Sequence, residues 1–210
     1  MIMDLSHNNP YLDHAKVQEE FQKFKDNGGK LVFLKVSQGC TFADPAKSVF
    51  ASIAREVGLY LGFYAFLDNS DSQAQMEFFL SLIQGAGECL IALDKETNPA
   101  TGTEPLKAVV VNAGNYLTSK GLNYGLYGNL FDLSIGLCAS DFVSGRMPYL
   151  WEAKYSLQKP TVPEGWESFS LWQFSEYYNL DGVQVDMSTL NTDLYGSFEE
   201  FYNMFKVNLS

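Results

Sequence analysis

The stretch from Leu90 to Thr97 reads LIALDKET, an apolar run of strand type that ends in two carboxylates, Asp94 and Glu96, one residue apart. Side chains on a strand alternate faces, so Ala92, Asp94 and Glu96 project to one side and Cys89, Ile91 and Leu93 to the other. The apolar set belongs against packed helices, which sends the two acids toward the opposite face. Two further acids follow comparable runs, Asp4 in IMDLS and Asp186 in VQVDMS. If the four meet, mutual repulsion raises the pKa of at least one, and a carboxylic acid kept protonated near neutral pH can act as a general acid.

Aromatic residues accompany these strand ends: Tyr64, Tyr127, Trp151, Tyr155 and Trp172. Sugar rings present apolar C–H faces, so flat aromatic walls with acids between them suit a polysaccharide cleft. With 16 Phe and 12 Tyr in the chain most aromatics must fill core, and Trp151 with Tyr155, on one face of one run, is the pair best placed for a ligand. Lys35 and Gln173 join Tyr64, Tyr127, Trp151 and Tyr155 as expected substrate contacts.

The elements that would position these residues alternate regularly. Strand-type runs fall at Met1–Ser6, Leu31–Val36, Leu59–Phe66 and Cys89–Asp94, with helical patterns at Ala15–Asp26, Ala46–Val57 and Ser72–Gln84 between them. Val17, Phe21 and Phe24 have helical spacing, and Gly28 and Gly29 supply a stop. Such βα repetition predicts a parallel sheet with helices outside it. After a fourth helix over Pro105–Lys120 the helices shorten, while strand signals continue at Tyr124–Tyr127, Tyr149–Tyr155, Ser168–Phe174 and Val183–Met187. Pro160, Pro163 and Gly165 mark a loop, and Gly196–Phe205 reads as a terminal helix. About eight strands suffice to close a barrel with its site at the strands' C-terminal ends. In a closed barrel the first and last strands are neighbours, so Asp4 and Asp186 are expected side by side, facing Asp94 and Glu96.

At 210 residues, 46% hydrophobic, the chain is expected to form one domain over residues 1–210. A formal net charge of −11 without a basic cluster opposes attraction to nucleic acid or anionic membranes. No apolar run approaches the roughly 20 residues of a membrane span, and MIMDLSHNNP lacks the features of a secretory signal. Cys40, Cys89 and Cys138 read as ordinary buried thiols, and His7 and His14 as exposed or capping residues. Two histidines and no CxxC leave little for a zinc site, so no metal and no cofactor is expected. Gly85 and Gly87 follow a helix and precede a strand, the reverse of a nucleotide fingerprint. A monomer is expected.

Taken in order, MDLS, FLKVSQGCTFADP, GLYLGFYAF, LIALDKET, YLWEAKY, LWQF and VDMS resemble the glycoside hydrolase family 25 lysozymes. The resemblance implies an irregular TIM-like α/β barrel of five βα units followed by three helix-poor strands, (β/α)5(β)3. It also implies hydrolysis of the β-1,4 bond between N-acetylmuramic acid and N-acetylglucosamine in peptidoglycan. By position Glu96 looks like the family's general acid and Asp94 like its partner, with Asp4 and Asp186 completing the cleft. The chain departs from the family pattern at Gln38, Ala65 and Ser188, and lacks the usual Gln-Gly after the first strand. These changes bear on sugar contacts and leave each central carboxylate in place.

Glu96 would protonate the leaving oxygen and then activate water. Asp94 would either orient the substrate's own 2-acetamido oxygen as nucleophile or attack directly, since residues i and i+2 on a strand, roughly 6.5–7 Å apart at Cα, allow both retaining and inverting separations. A chitinase or glucosaminidase on a related barrel is the alternative enzyme, and a non-catalytic peptidoglycan-binding phage module the alternative outside enzymes. The expected place of action is the bacterial cell wall, reached by phage lysis or from a virion, with any targeting domain outside this chain.

Overall fold

The computed structural model describes residues 1–9, 13–96, 106–129, 137–142, 146–162, 165–180 and 182–210. Strand β1 (Ile2–Leu5) leads to α1 (His14–Asp26), and β2 (Leu31–Gln38) to a two-residue strand β3 (Phe42–Ala43) and then α2 (Lys47–Val57). Next come β4 (Tyr60–Phe66), α3 (Ser72–Ile83), β5 (Glu88–Asp94) and α4 (Leu106–Ser119). The second half holds β6 (Gly125–Asn129), a single 3-10 turn at Ala139–Asp141, β7 (Tyr149–Ala153), β8 (Leu171–Leu180) and β9 (Val183–Leu190). A last helix, α5 (Phe198–Phe205), precedes β10 (Val207–Asn208).

Eight of these strands close on themselves in the order β1-β9-β8-β7-β6-β5-β4-β2, with β1 pairing β2. β3 and β10 are short additions to β2 and β5. The expected α/β barrel is therefore present. Its first four strand–helix units fall where the hydrophobic pattern set them; Pro105, Thr97 and Pro163 lie outside the described residues. So do 130–136 and 143–145, between β6 and β7, where the fifth βα unit implied by the resemblance would carry its helix. No helix among the described residues is long and apolar enough to cross a membrane.

The sheet is not wholly parallel. β9 runs antiparallel to both β8 and β1, because only residues 181 and 182 separate it from β8, and so short a link can only reverse the chain. Asp181-Gly182 is itself a hairpin signal, and Gly182 takes the positive φ of 86° such a turn needs.

Alternation divides the core in two. Met3, Leu5, Val32, Leu34, Ile91, Leu93, Leu126 and Leu150 face the helices, where Val17, Phe21 and Phe24 of α1 and Phe50, Ile53 and Ala54 of α2 meet them. Ile2, Leu31, Phe33, Leu90, Ala92, Tyr149, Trp151 and Leu171 fill the barrel, joined by Phe198, Phe201 and Tyr202 of α5. The Tyr149 and Phe201 rings meet edge-on at 5.3 Å, so α5 packs with the inner core.

Phe33 and Trp151 stack in the barrel with centroids 4.4 Å apart. Gly62 makes room for them: a Cβ there would lie 2.2 Å from the Phe33 ring. Gly62→Ala is expected to cost about 1–3 kcal/mol through overpacking, read as a lower denaturant midpoint with unchanged slope.

Candidate active site

Asp4 points into the barrel between outward-facing Met3 and Leu5, and Asp186 does the same between Val185 and Met187. Their residues are direct partners in the β1–β9 ladder. Asp186 was expected at the C-terminal end of the last strand. It instead lies within β9, and the reversed direction of that strand brings it to Asp4. Asp94 ends β5 on the inward face and Glu96 follows two residues later. Asp4, Asp94, Glu96 and Asp186 line one cleft of about 230 Å³, with Lys35, Tyr64, Tyr127 and Trp151.

Asp94 is 4% exposed, its Oδ1 has no hydrogen-bond partner, and its carboxyl hydrogen-bonds the Glu96 carboxyl. A carboxyl–carboxyl hydrogen bond requires a proton on one partner. Burial, and then the Glu96 charge, push the pKa of Asp94 well up, with Lys35 opposing. Burial followed by repulsion from Asp186 raises Asp4. Asp186 is pushed up to about 6 by burial first, then by Glu176 and Glu96.

Lys35 is the one cation among the cleft's described lining residues. Its ammonium donates to Gln38 Oε1 at 2.8 Å and lies 4.6 Å from the Phe66 ring centre. Desolvation lowers its pKa against the pull of Asp94, Asp44 and Glu96. Trp151 forms floor rather than wall: it is 2% exposed, its indole N–H donates to Ser188 Oγ at 2.9 Å, and Tyr127 meets it edge-on at 4.7 Å. Tyr155, half exposed, lies outside the cleft's lining but is tied to it through Gln173. Gln173 is fully buried and also absent from the lining, so the structure puts it behind the cleft rather than on the wall expected of a sugar contact. Trp172 packs with the helix-side core and donates to the Lys154 carbonyl at 2.8 Å, away from the acids.

Other expectations also change. Ala65 is buried on the helix side, paired with Leu93, so its difference from the family pattern does not alter the cleft surface. His7 is exposed, as expected, but partnered: its Nδ1 lies 2.7 Å from Oδ2 of buried Asp44, which also accepts from the His7 backbone N–H at 3.0 Å. His14 is the first residue of α1, with Glu56 at 3.9 Å. Of the thiols only Cys89 is fully buried, its pKa pushed up to about 12 by desolvation; Cys40 and Cys138 are half-buried.

Ser6, Asn8, Asn9 and Phe66 line the cleft and went unread in the sequence. The only signal for the first three was their position just after β1. The His7–Asp44 contact joins that loop to the one after β3, a pairing set by strand neighbourhood and invisible in either segment alone.

Glu152, beside Trp151 but on the helix face of β7, is fully buried with neither carboxylate oxygen hydrogen-bonded. Desolvation pushes its pKa up to about 8. The folded state therefore holds this proton more tightly than the unfolded chain, and stability falls as pH rises from about 4.5 through 8. Glu152→Gln is expected to flatten that fall, measured as melting temperature against pH, with the largest difference from the parent above pH 8.

A closed α/β barrel whose C-terminal mouth gathers four carboxylates over an aromatic floor has the form of a barrel hydrolase site. Residues 3–183 match the model of the Glycosyl hydrolases family 25, and the chain belongs to that family. It is 27% identical over 167 residues to the autolytic lysozyme of Clostridium acetobutylicum, an alignment covering 78% of this chain and 49% of that protein. The chain thus spans about half the length of that curated relative. Its fold matches a bacterial lysozyme from Streptomyces coelicolor with a TM-score of 0.73 at 22% identity, covering 90% of each chain. A muramidase from Acremonium alcalophilum matches at 0.72 and 24% identity, over 91% of this chain and 94% of that one. A family GH25 lysozyme from Aspergillus fumigatus matches at 0.69 and 24%, over 91% and 95%.

Proposed function

We propose that the protein is an N-acetylmuramidase that cleaves the β-1,4 bond between N-acetylmuramic acid and N-acetylglucosamine in peptidoglycan glycan strands. The observation that carries this reading is the gathering of Asp4, Asp94, Glu96 and Asp186 in one cleft of a family 25 chain. Glu96, the more exposed member of the hydrogen-bonded pair, donates the proton to the leaving oxygen and then accepts one from water. Asp94, buried beside it, orients and stabilises the substrate's 2-acetamido group as that group's oxygen attacks the anomeric carbon. The observation that favours this over direct attack by Asp94 is its deep position, 4% exposed, beside the more exposed Glu96. Tyr64 and Tyr127 meet the sugar on the walls, Trp151 backs the floor and Lys35 binds a polar ring substituent. The reaction requires no metal or cofactor, and the chain acts on the wall as a monomer, delivered by phage lysis or from a virion.

Digestion of purified peptidoglycan, followed by mass spectrometry of the new reducing ends, tests the bond. Muramic acid ends are expected. Glucosamine ends would replace the reading with a glucosaminidase, and no release of sugar would leave a binding module.

A further inference from the structure

The buried side chain of Gln173 is bonded at both ends of its amide. Its Nε2 donates to Oδ2 of Asp4 at 2.9 Å and to Oδ2 of Asp186 at 3.1 Å. Its Oε1 accepts from the hydroxyls of Tyr127 at 2.8 Å and Tyr155 at 3.1 Å. These bonds use both amide protons and both lone pairs of the oxygen. Turning the amide over would set its oxygen against two carboxylates, so the network admits one orientation.

That arrangement answers a problem built into the barrel. Asp4 and Asp186 are cross-strand partners, and like charges directly opposite on a sheet repel. A neutral amide with two protons is the one uncharged side-chain group that donates to both at once and draws two like carboxylates to a common point. The two tyrosine hydroxyls fix which end of the amide faces the acids. Of the four groups it binds, Tyr155 is the one outside the cleft's lining, and it is half exposed.

We propose that Gln173 is a positioning residue that holds Asp4 and Asp186 as one clamped pair and links that pair to the hydroxyl of half-exposed Tyr155. It touches no reacting atom and acts through the acids. The role of those acids in hydrolysis rests on the muramidase reading; the clamp itself does not. The other charged or titratable groups facing the pair are Asp94 from β5 and Glu96 just after it, Glu176 from β8, Lys35 from β2 and Tyr64 from β4.

The test begins on the unmodified protein. In an NMR titration from pH 4 to 8, the side-chain amide protons of Gln173 are expected to shift together with the Asp4 and Asp186 carboxyl carbons, following the same midpoints. Amide protons that stay still while both carboxyls titrate would overturn the clamp. Gln173→Met removes the donors at similar length, and both carboxyl midpoints are expected to rise by about one pH unit as charge-stabilising hydrogen bonds are lost. Tyr155→Phe, which leaves the core intact, is expected to raise them by a smaller amount. If Gln173→Met does not fold, the Tyr155→Phe titration and the parent's amide shifts decide, and unchanged midpoints in Tyr155→Phe count against the link to Tyr155. On peptidoglycan, Gln173→Met is expected to lower kcat at least tenfold with little change in KM and to move the pH profile upward. A loss of activity with no movement of the profile would mean a structural role only. Coupled titration in a protein that releases no sugar would retain the clamp and discard the muramidase reading.

Discussion

Glu96→Gln is expected to leave the barrel folded and to slow glycan cleavage by about 10²–10⁴-fold, the range general acid catalysis supplies. That corresponds to about 3–5 kcal/mol of transition-state stabilisation. The amide is nearly the same size as the acid and lies at the cleft rather than in the core. The circular dichroism spectrum and melting temperature should therefore hold while kcat collapses. Since the lost interaction forms only as the leaving oxygen takes its proton, kcat and kcat/KM should fall together with KM little changed. A variant that still clears cell walls at near the parent rate would remove Glu96 from the proton-donor role and leave the acid to be found among Asp4, Asp94 and Asp186.

Asp186→Asn is expected to stabilise the protein at pH 7 while impairing it as a catalyst. Asp186 titrates in the folded chain at about 6, against an ordinary value of 3.8. Below pH 4 folded and unfolded chains both hold this proton, and the group does not discriminate between them. Between about pH 4 and 6 the unfolded chain has released it and the folded chain retains it, so the folded state loses stability as pH rises. Above 6 the whole penalty is present, on the order of 1–2 kcal/mol after allowing for the group's partial exposure to solvent. Replacing the carboxylate by an amide removes that penalty and keeps an acceptor for Gln173. The melting temperature at pH 7 should rise by about 3–6 °C, and the fall in stability between pH 4 and 6 should become shallower. A lower melting temperature at pH 7 with an unchanged pH slope would show that Asp186 is not held under electrostatic strain. Asp4 and Asp94, also raised by burial, shift in the same direction, so the parent protein should be more heat-stable near pH 4–5 than at pH 7.

These two expectations describe one design. Acids that would be cheaper as amides are retained in a cleft, and the remaining core carries their cost. The outer core supplies this support, with helices α1 to α4 packed on strands whose outward residues are almost all apolar.

Much of this was legible in the chain itself, for a physical reason that is local. The period-two alternation in LIALD is enough to say that Ile91 and Leu93 face helices and that Asp94 faces away. The 3.6-residue spacing of Val17, Phe21 and Phe24, closed by Gly28, is enough to set α1. Seven ordered segments also carried the resemblance to family 25, and the match of residues 3–183 to that family's model agrees with it.

Barrel closure was enough to expect Asp4 beside Asp186, and they are cross-strand partners. What lay beyond reach was the antiparallel run of β9 and the contacts between distant segments. Gln173 looks like any polar residue on an aromatic strand until the closed barrel gathers Asp4, Tyr127, Tyr155 and Asp186 around its amide from four places in the chain. His7 and Asp44 meet only because β1 and β2 are adjacent. The sequence by itself determined the types of the reacting groups and the faces they take, since both follow from short-range periodicity. The tertiary structure decided the hydrogen-bond partners of each group and the direction of the last strand, because hydrogen bonds, desolvation and charge repulsion act across a few ångströms of space, whatever the separation along the chain.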